Sequence, residues 1–179
     1  MGKDICKLRR KQKLNVNNNS NKMTNIFFTN PNLKFEILNE GLTKVQIDSV
    51  IPQDFKGKND FVQFYLLHNG VCFTEGAEVS TEQFSGEEND EYYELEVESI
   101  YRIDQIQKIW EALKERSSEA KKFVETHIPF AGDAAGNDFF IEIPTGIIKY
   151  ISWEYDIEEG LIDVANNFKE FCLAIEPLN

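Results

Sequence analysis

The amino-acid sequence predicts an α+β fold in which an antiparallel-dominated β-sheet is flanked by helices. Residues 127–153 combine turn residues with β-rich runs and fit three successive strands. Residues 94–98 alternate strictly between glutamate and apolar side chains, which is typical of a strand with one buried face. Helical spacing of apolar residues occurs in separate segments, without the regular strand–helix alternation that a parallel sheet requires.

The most distinct hairpin is predicted within residues 127–153. The runs 139–143 and 147–153 are rich in β-branched and aromatic residues. Between them, Pro144 presets φ for a turn and Gly146 can adopt the left-handed conformation. We therefore expect two antiparallel strands joined by a tight turn.

A second turn is predicted just before this hairpin. Gly132 and Gly136 are expected to adopt positive φ on either side of Asp133. The carboxylate of Asp133 can accept hydrogen bonds from nearby backbone N–H groups, and Asn137 can support the same turn. This loop is expected to fix the register of the strands that it joins.

The first third of the chain predicts short elements. Residues 35–38 fit either a short strand or one helical turn. Thr43 and Gln46 have the spacing of a capping box, which predicts a helix through Val50. Pro52 is expected to stop that helix.

A second helix is predicted to be capped by Asn59 or Asp60 and to end at Asn69 and Gly70. Its apolar and aromatic residues recur at spacings of three and four, so its phenylalanine and leucine positions are expected in the core. The residues that form this pattern are Phe61, Phe64, Tyr65 and His68.

The middle of the chain predicts strands around an acidic loop. Residues 71–79 begin as a strand that is interrupted at Gly76, and residues 85–91 form the loop. In the following strand, Leu95 and Val97 are expected to point inward. The opposite face would then carry Glu94, Glu96 and Glu98.

Two further helices are predicted. Asp104 is expected to cap a helix that reaches about Phe123, and a last helix is expected between Gly160 and Pro177. The first has an apolar stripe formed by Ile103, Ile106, Trp110 and Leu113. The last is expected to present Val164, Phe168, Phe171 and Ile175 inward.

Charge is distributed unevenly along the chain. Residues 1–24 contain seven Lys or Arg residues and one Asp, which gives this segment a net charge of +6. Since the formal net charge of the whole chain is −12, the remaining residues carry −18. We expect residues 1–25 to form a basic, asparagine-rich, flexible leader and residues 26–179 to form one domain. The acidic body would repel nucleic acid and anionic membranes and attract basic proteins. An acidic surface can also serve solubility alone.

Cysteine usage and hydropathy indicate a cytoplasmic protein. The three cysteines Cys6, Cys72 and Cys172 are widely spaced, which suggests neither a disulfide framework nor a zinc site. No apolar run approaches membrane-spanning length, and the N-terminal residues lack the apolar region of a secretory signal.

Three segments, in the same order, resemble the SUKH superfamily, which includes Smi/Knr cell-wall regulators of fungi and bacterial toxin-immunity proteins. Residues 51–70 are similar to its Leu-Pro-x-Asp-Tyr element and to the helix ending in Asn-Gly. Residues 128–137 resemble its strand and turn, and residues 164–171 resemble its closing helix. Val71 and the acidic insertion at 85–91 depart from the family pattern. The matching positions, expected to be structural, are Pro52, Asn69, Gly70, Pro129, Phe130, Asp133, Gly136, Asn137, Phe168 and Phe171.

This resemblance implies a SUKH (Smi/Knr-like) α+β fold and a non-enzymatic protein-binding function. The expected function is an immunity protein that neutralises a toxin, with a basic toxin domain such as a nuclease as its partner. The alternative is a regulator or scaffold in the signalling that controls cell-wall glucan synthesis. Oligomeric state is left open. The expected partner-binding residues are Glu87, Glu88, Asp90, Glu91, Glu94, Glu96, Glu98, Glu154, Asp156, Glu158 and Glu159.

No catalytic residue, cofactor or metal is predicted. The two histidines, His68 and His127, lie outside metal-binding and hydrolase motifs. The acidic residues around Asp133 resemble a calcium loop, but their spacing does not fit the rule for one.

Overall fold

A computed structural model of the chain describes residues 26–82 and 93–178. The expected basic leader lies outside the described residues, as does the segment 83–92. The latter contains four of the predicted partner-binding residues, namely Glu87, Glu88, Asp90 and Glu91.

The main sheet contains seven strands in the order β1-β2-β5-β6-β7-β8-β9. Every neighbouring pair is antiparallel. The strands are β1 (Phe35–Ile37), β2 (Val71–Phe73), β5 (Ser99–Ile100), β6 (His127–Gly132), β7 (Asp138–Glu142), β8 (Ile148–Ile151) and β9 (Leu161–Ala165). Together with the helices, this sheet confirms the predicted α+β class.

A second, smaller sheet contains three antiparallel strands in the order β10-β3-β4. These strands are β3 (Ala77–Ser80), β4 (Glu94–Glu96) and β10 (Glu176–Pro177). Hydrogen bonds of Glu98 link the end of β4 to the main sheet, because its N–H donates to Gly132 and its carbonyl accepts from Phe73.

Six helices lie in the described part of the chain. They are α1 (Lys44–Val50), α2 (Lys58–Leu67), α3 (Ile103–Arg116), α4 (Ser118–Phe123), α5 (Ile157–Gly160) and α6 (Phe168–Ala174). Alternate residues of β7 point to opposite faces of the sheet. Phe140 packs against Phe123 of α4, and Phe139 packs against Phe171 of α6, so helices cover both faces.

Aromatic side chains form much of the core between α2, α6 and the sheet. Phe61, Phe64 and Phe130 each contact Phe168 edge to face, with ring centroids 5.2–5.5 Å apart. All four side chains are fully buried. Edge-to-face packing of this kind adds about 0.5–1.5 kcal/mol per pair beyond the burial of apolar area.

The predicted hairpin is confirmed as β7 and β8. Phe139 pairs with Tyr150 and Phe140 with Lys149. Gly146 in the connecting turn has φ +77°, and a Cβ at this position would lie 2.3 Å from the carbonyl oxygen of Lys56. Glycine is therefore required both by the backbone conformation and by the space available.

The prediction of positive φ at Gly132 was wrong. Gly136 has φ +96°, but Gly132 is the last residue of β6 and has an ordinary strand conformation. The hydroxyl oxygen of Tyr101 lies 1.9 Å from where a Cβ of Gly132 would be. Glycine at this position makes room for that phenol ring.

Helix α1 begins as predicted, but the expected start of α2 was wrong. Thr43 and Gln46 form the capping box. Helix α2 starts at Lys58 after Gly57, whose φ of +85° turns the chain sharply, so Asn59 and Asp60 lie within the first turn. The expected burial of leucines in α2 was also wrong, since its last two residues, both leucine, are exposed.

The segment expected to form one helix from Asp104 to Phe123 forms two. The backbone of Ser117 is extended, and its hydroxyl accepts a hydrogen bond from Ala120, so Ser117 ends α3 and caps α4. Asp104 does not cap α3: it is the second residue of that helix and binds the guanidinium of Arg102 through two 3.0 Å hydrogen bonds.

The expected position of Val164 in the last helix was wrong. Val164 lies in β9, and the helix begins only at Phe168, after its N-cap residue Asn167. The side chain of Asn167 accepts a hydrogen bond from the backbone of Glu170. Val164 is nevertheless buried, as are the three other residues predicted to point inward.

Candidate functional site

The small sheet aligns glutamates across its three strands. Glu176 of β10 pairs with Glu78 of β3, which in turn pairs with Glu96 of β4. Glu94 lies two residues before Glu96 and therefore on the same face. We call the face formed by Glu78, Glu94, Glu96 and Glu176 the acidic sheet face.

The opposite side of this sheet is part of the core. Leu95 and Val79 pair with each other and are buried, and so is Val97 just beyond β4. The predicted inward positions of Leu95 and Val97 are therefore confirmed. Glu94 and Glu96 are exposed and Glu98 is half-buried, so the strand has the predicted alternation.

Sequence reasoning missed Glu78 and Glu176, because alignment across strands depends on register. Like charges directly opposite each other in a sheet destabilise it. A cationic group bound across the strands would relieve this repulsion. The acidic sheet face thus has the electrostatics of a surface for basic side chains. The amide of Asn30 also donates a hydrogen bond to the carboxylate of Glu176 on this face.

The connection between β8 and β9 is the second acidic surface. Helix α5 occupies part of it, and the carbonyl of Asp156 accepts hydrogen bonds from the backbone of Glu159 and Gly160. Tyr155, which was not predicted as a site residue, lies between two of the acidic residues and is 61% exposed. The predicted residues Glu154, Asp156, Glu158 and Glu159 are all exposed.

The loop between β6 and β7 is organised by Asp133. One carboxylate oxygen accepts hydrogen bonds from the backbone N–H groups of Gly136 and Asn137, both at 2.8 Å. The other oxygen accepts from the amide of Asn137 and the hydroxyl of Tyr150, also at 2.8 Å. Asn137 in turn accepts from the backbone of Trp153 at 3.0 Å. The loop is thus tied to the β8 end of the hairpin.

A second carboxylate, Asp138, lies buried beside this loop. It accepts hydrogen bonds from the hydroxyl of Tyr101 and the indole N–H of Trp153, each at 2.7 Å. Burial raises the pKa of Asp138 above its ordinary value, although these two hydrogen bonds act in the opposite direction. Arg116 stacks over the Trp153 ring at 4.3 Å. The structural role of Asp138 was not predicted from the sequence.

These contacts bear on the resemblance to a calcium loop. Each oxygen of Asp133 and of Asp138 accepts at least one hydrogen bond from the protein. The same oxygens would have to exchange these donors for a cation. In residues 26–82 and 93–178, no three His, Cys, Asp or Glu side chains are grouped so that they could hold a metal ion.

Asn69 and Gly70 connect the end of α2 to the start of α3. The side-chain oxygen of buried Asn69 accepts a 2.9 Å hydrogen bond from the backbone N–H of Ile103. Gly70 has φ +88°, and a Cβ there would lie 2.8 Å from the side chain of Arg102. Asn69 and Gly70 follow the end of α2, as expected. Asn69 also supplies a hydrogen-bond acceptor for a backbone N–H in the first turn of α3.

The remaining family-like residues lie in ordinary structural positions. Pro52 follows Ile51, the C-cap residue of α1. Pro129 is buried in β6 at the start of a register shift. Phe130, Phe168 and Phe171 are fully buried, and Phe130 contacts both of the others.

Comparison with known proteins bears on the family to which the chain belongs. In the described part of the chain, no helix has both the length and the apolar character needed to cross a bilayer. A search of curated proteins found no match. The profile of the SMI1 / KNR4 family (SUKH-1) matches residues 58–173, which is well over half of the chain and runs from α2 to α6. The chain therefore belongs to the SMI1 / KNR4 family (SUKH-1).

Proposed function

We propose that this protein is a cytoplasmic, non-enzymatic binding module that neutralises a basic toxin domain, such as a nuclease, by covering its functional surface. The observation that carries this proposal is the alignment of glutamates across the acidic sheet face. Membership of the SMI1 / KNR4 family supports binding to another protein in general.

The exposed carboxylates would act first during encounter. Glu94 and Glu96 project from a short strand whose other face is fixed in the core, so their spacing is set before a partner arrives. Preorganised charge raises the association rate and reduces the cost of ordering side chains on binding. Rim carboxylates would mainly set the rate and its dependence on salt, whereas those buried against Arg or Lys would also set the dissociation rate.

The β8–β9 connection would add an aromatic contact. Tyr155 is exposed between Glu154 and Asp156. Tyrosine is frequent among residues that contribute most to interface energy, and its ring can stack with guanidinium groups. This arrangement supports an arginine-rich or lysine-rich partner.

The test is affinity capture from the native host at low and at moderate salt, followed by mass spectrometry. We expect a cationic protein that is recovered at low salt and partly lost at moderate salt. The affinity of the captured partner is then measured with the double variant Glu94→Gln/Glu96→Gln. Failure to recover any cationic partner at either salt concentration would contradict the proposal.

A matched control removes the same charge elsewhere. Glu115 of α3 and Glu119 of α4 are exposed and lie outside the small sheet. The double variant Glu115→Gln/Glu119→Gln should leave the affinity within about twofold of the wild type. The variant in β4 should weaken it at least about tenfold, or about 1.4 kcal/mol. Equal effects from both variants would mean that net charge alone attracts the partner.

The alternative function is that of a regulator or scaffold in cell-wall glucan synthesis. The family is designated SMI1 / KNR4 and also SUKH-1, and these designations do not distinguish the regulator from the immunity protein. The captured proteins decide between the two functions: a toxin supports neutralisation, and signalling or wall-synthesis proteins support the regulator.

A further inference from the structure

His127 lies where α4 meets the main sheet. It is the first residue of β6, and its side chain is only 9% exposed. The imidazole ring stacks on Phe123 of α4, with centroids 3.8 Å apart and planes 13° from parallel. Any change in the hydrogen-bonding state of this ring therefore acts at a packed junction between a helix and a strand.

The position of the ring proton follows from its contacts. Nδ1 lies 2.9 Å from the carbonyl oxygen of Phe123, which can only accept, and 3.0 Å from the hydroxyl of Thr126, which can accept as well as donate. The tautomer that satisfies both contacts carries the proton on Nδ1. In the neutral ring, Nε2 is then an acceptor. It is buried and has no hydrogen-bond partner among the described residues. The carboxylate of Glu142, another acceptor, lies 3.8 Å from it.

Glu142 already serves two other groups. Its carboxylate accepts a hydrogen bond from the hydroxyl of Thr145 in the β7–β8 turn. One of its oxygens lies 3.9 Å from the ammonium of Lys149, which is 2.6 Å from the carboxylate of Asp163. The four ionisable groups thus alternate in a row across β6, β7, β8 and β9.

Among the described residues, Glu142 and Lys149 are the charged side chains that act on the pKa of His127. β7 contributes Glu142, and β8 contributes Lys149. β9 contributes Asp163 through its contact with Lys149. The charged side chains of α4 are exposed, and this helix presents Phe123 to the ring. The charged residues of α4 are Glu119, Lys121 and Lys122.

We propose that His127 is a proton-operated switch, in which protonation of Nε2 draws the carboxylate of Glu142 away from Lys149 and Thr145 and onto the imidazolium. The proton comes from solvent, and the neutral acceptor becomes a donor that faces the carboxylate. The β7–β8 turn responds because the hydroxyl of Thr145 loses the carboxylate of Glu142 as its acceptor. The main-chain carbonyl of Glu142 accepts hydrogen bonds from the N–H groups of Thr145 and Gly146, so these amides report on the same turn. The loop at Lys56 is the next contact, since it packs against Gly146.

The electrostatic influences on His127 have opposite signs. Burial lowers the pKa of His127 from its ordinary value of 6.5, while Glu142 raises it and Lys149 lowers it. Removing Glu142 should therefore make the ring harder to protonate. Removing Lys149 should make it easier, because Glu142 is then left to the imidazolium alone.

The experiment is an NMR titration of both histidines between about pH 4 and 8, a range that brackets an ordinary histidine pKa. It uses the full chain and the variants Glu142→Gln and Lys149→Gln. We expect the titration midpoints of His127 to increase in the order Glu142→Gln, wild type, Lys149→Gln. In the wild type, the amide shifts of Thr145 and Gly146 should follow the same midpoint as the ring.

His68 provides an internal control, because burial also lowers its pKa but neither Glu142 nor Lys149 contributes to that shift. Its midpoint should stay unchanged in both variants. The switch is refuted if the His127 midpoint does not move in either variant, or if the turn amides do not titrate with the ring. If one variant does not fold, the direction in which the other variant shifts the His127 midpoint from the wild-type value still tests the switch.

Discussion

Replacing Asp133 with alanine should destabilise the fold without affecting partner binding. The carboxylate of Asp133 accepts four hydrogen bonds, two from backbone N–H groups of its own loop and two from the side chains of Asn137 and Tyr150. Those two side chains also contact each other at 2.9 Å, so they keep one partner in the variant. The backbone donor of Gly136 is exposed and can turn to water.

The magnitude follows from these partners. A hydrogen bond to a charged group contributes about 1.5–3 kcal/mol, and a neutral one contributes about 1 kcal/mol. Since part of the network is recovered by water and by the Asn137–Tyr150 contact, we expect a loss of about 2–4 kcal/mol. A loss of this size is a large fraction of the stability of a typical domain.

Urea denaturation measures this loss as a lower midpoint with an unchanged slope. Glu115→Ala is the matched control, because it removes an exposed carboxylate from α3 and should change the free energy of unfolding by less than about 0.5 kcal/mol. The reasoning is refuted if Asp133→Ala is as stable as the wild type. It is also refuted if this variant, while stable, no longer binds the captured partner.

Four further substitutions test other parts of the structure. Gly146→Ala should cost about 3–5 kcal/mol and Gly136→Ala about 1–2 kcal/mol in urea denaturation, since both have positive φ but only the first meets a backbone oxygen at 2.3 Å. Asn69→Ala should lower the free energy of unfolding by about 2 kcal/mol, because it removes the acceptor of the Ile103 N–H. In this variant, native-state hydrogen exchange should show that the start of α3 opens more readily. Burial lowers the pKa of His127 in the folded state, so the unfolded state takes up this proton at a higher pH than the folded state does. The free energy of unfolding should therefore fall as pH drops below 6.5 and level off below the folded-state pKa. In His127→Gln this part of the pH dependence should be absent from denaturation curves.

Features set by neighbouring residues could be predicted from the sequence. The capping box of Thr43 and Gln46 needs only three residues of separation. The alternation of Leu95 and Val97 with glutamates predicted which face of β4 is buried. The turn at Gly146 was recognisable because proline and glycine restrict the backbone locally.

Features set by tertiary contacts could not be predicted in this way. Asn69 satisfies the N–H of Ile103, which is 34 residues away, and nothing in the local pattern names that partner. Gly132 is required by the phenol of Tyr101, so its role depends on packing rather than on its own backbone. The break at Ser117 was hidden because apolar spacing continues across it while the hydroxyl caps a new helix.

The acidic sheet face shows the same division. Alternation within one strand predicted Glu94 and Glu96, but Glu176 joins them only because β10 pairs with β3. A strand of two residues at the end of a helix gives no periodic signal. The charge of a sheet surface therefore depends on register, which a local reading of the sequence does not contain.

Two sets of carboxylates in this protein differ in how far the structure would have to change for them to contact a partner. For Asp133 and Asp138 to contact a partner, hydrogen bonds at 2.7–2.8 Å would first have to be broken, and buried donors would be left without acceptors. Glu94 and Glu96 are exposed on a strand held by its buried face, so a basic partner meets them without disturbing the core. We therefore expect Asp133, which resembles the family pattern, to stabilise the fold, and the acidic surfaces to be the part that contacts a partner. We therefore expect specificity for a partner to be changed by substitutions on the acidic sheet face and the β8–β9 connection, at little cost in stability.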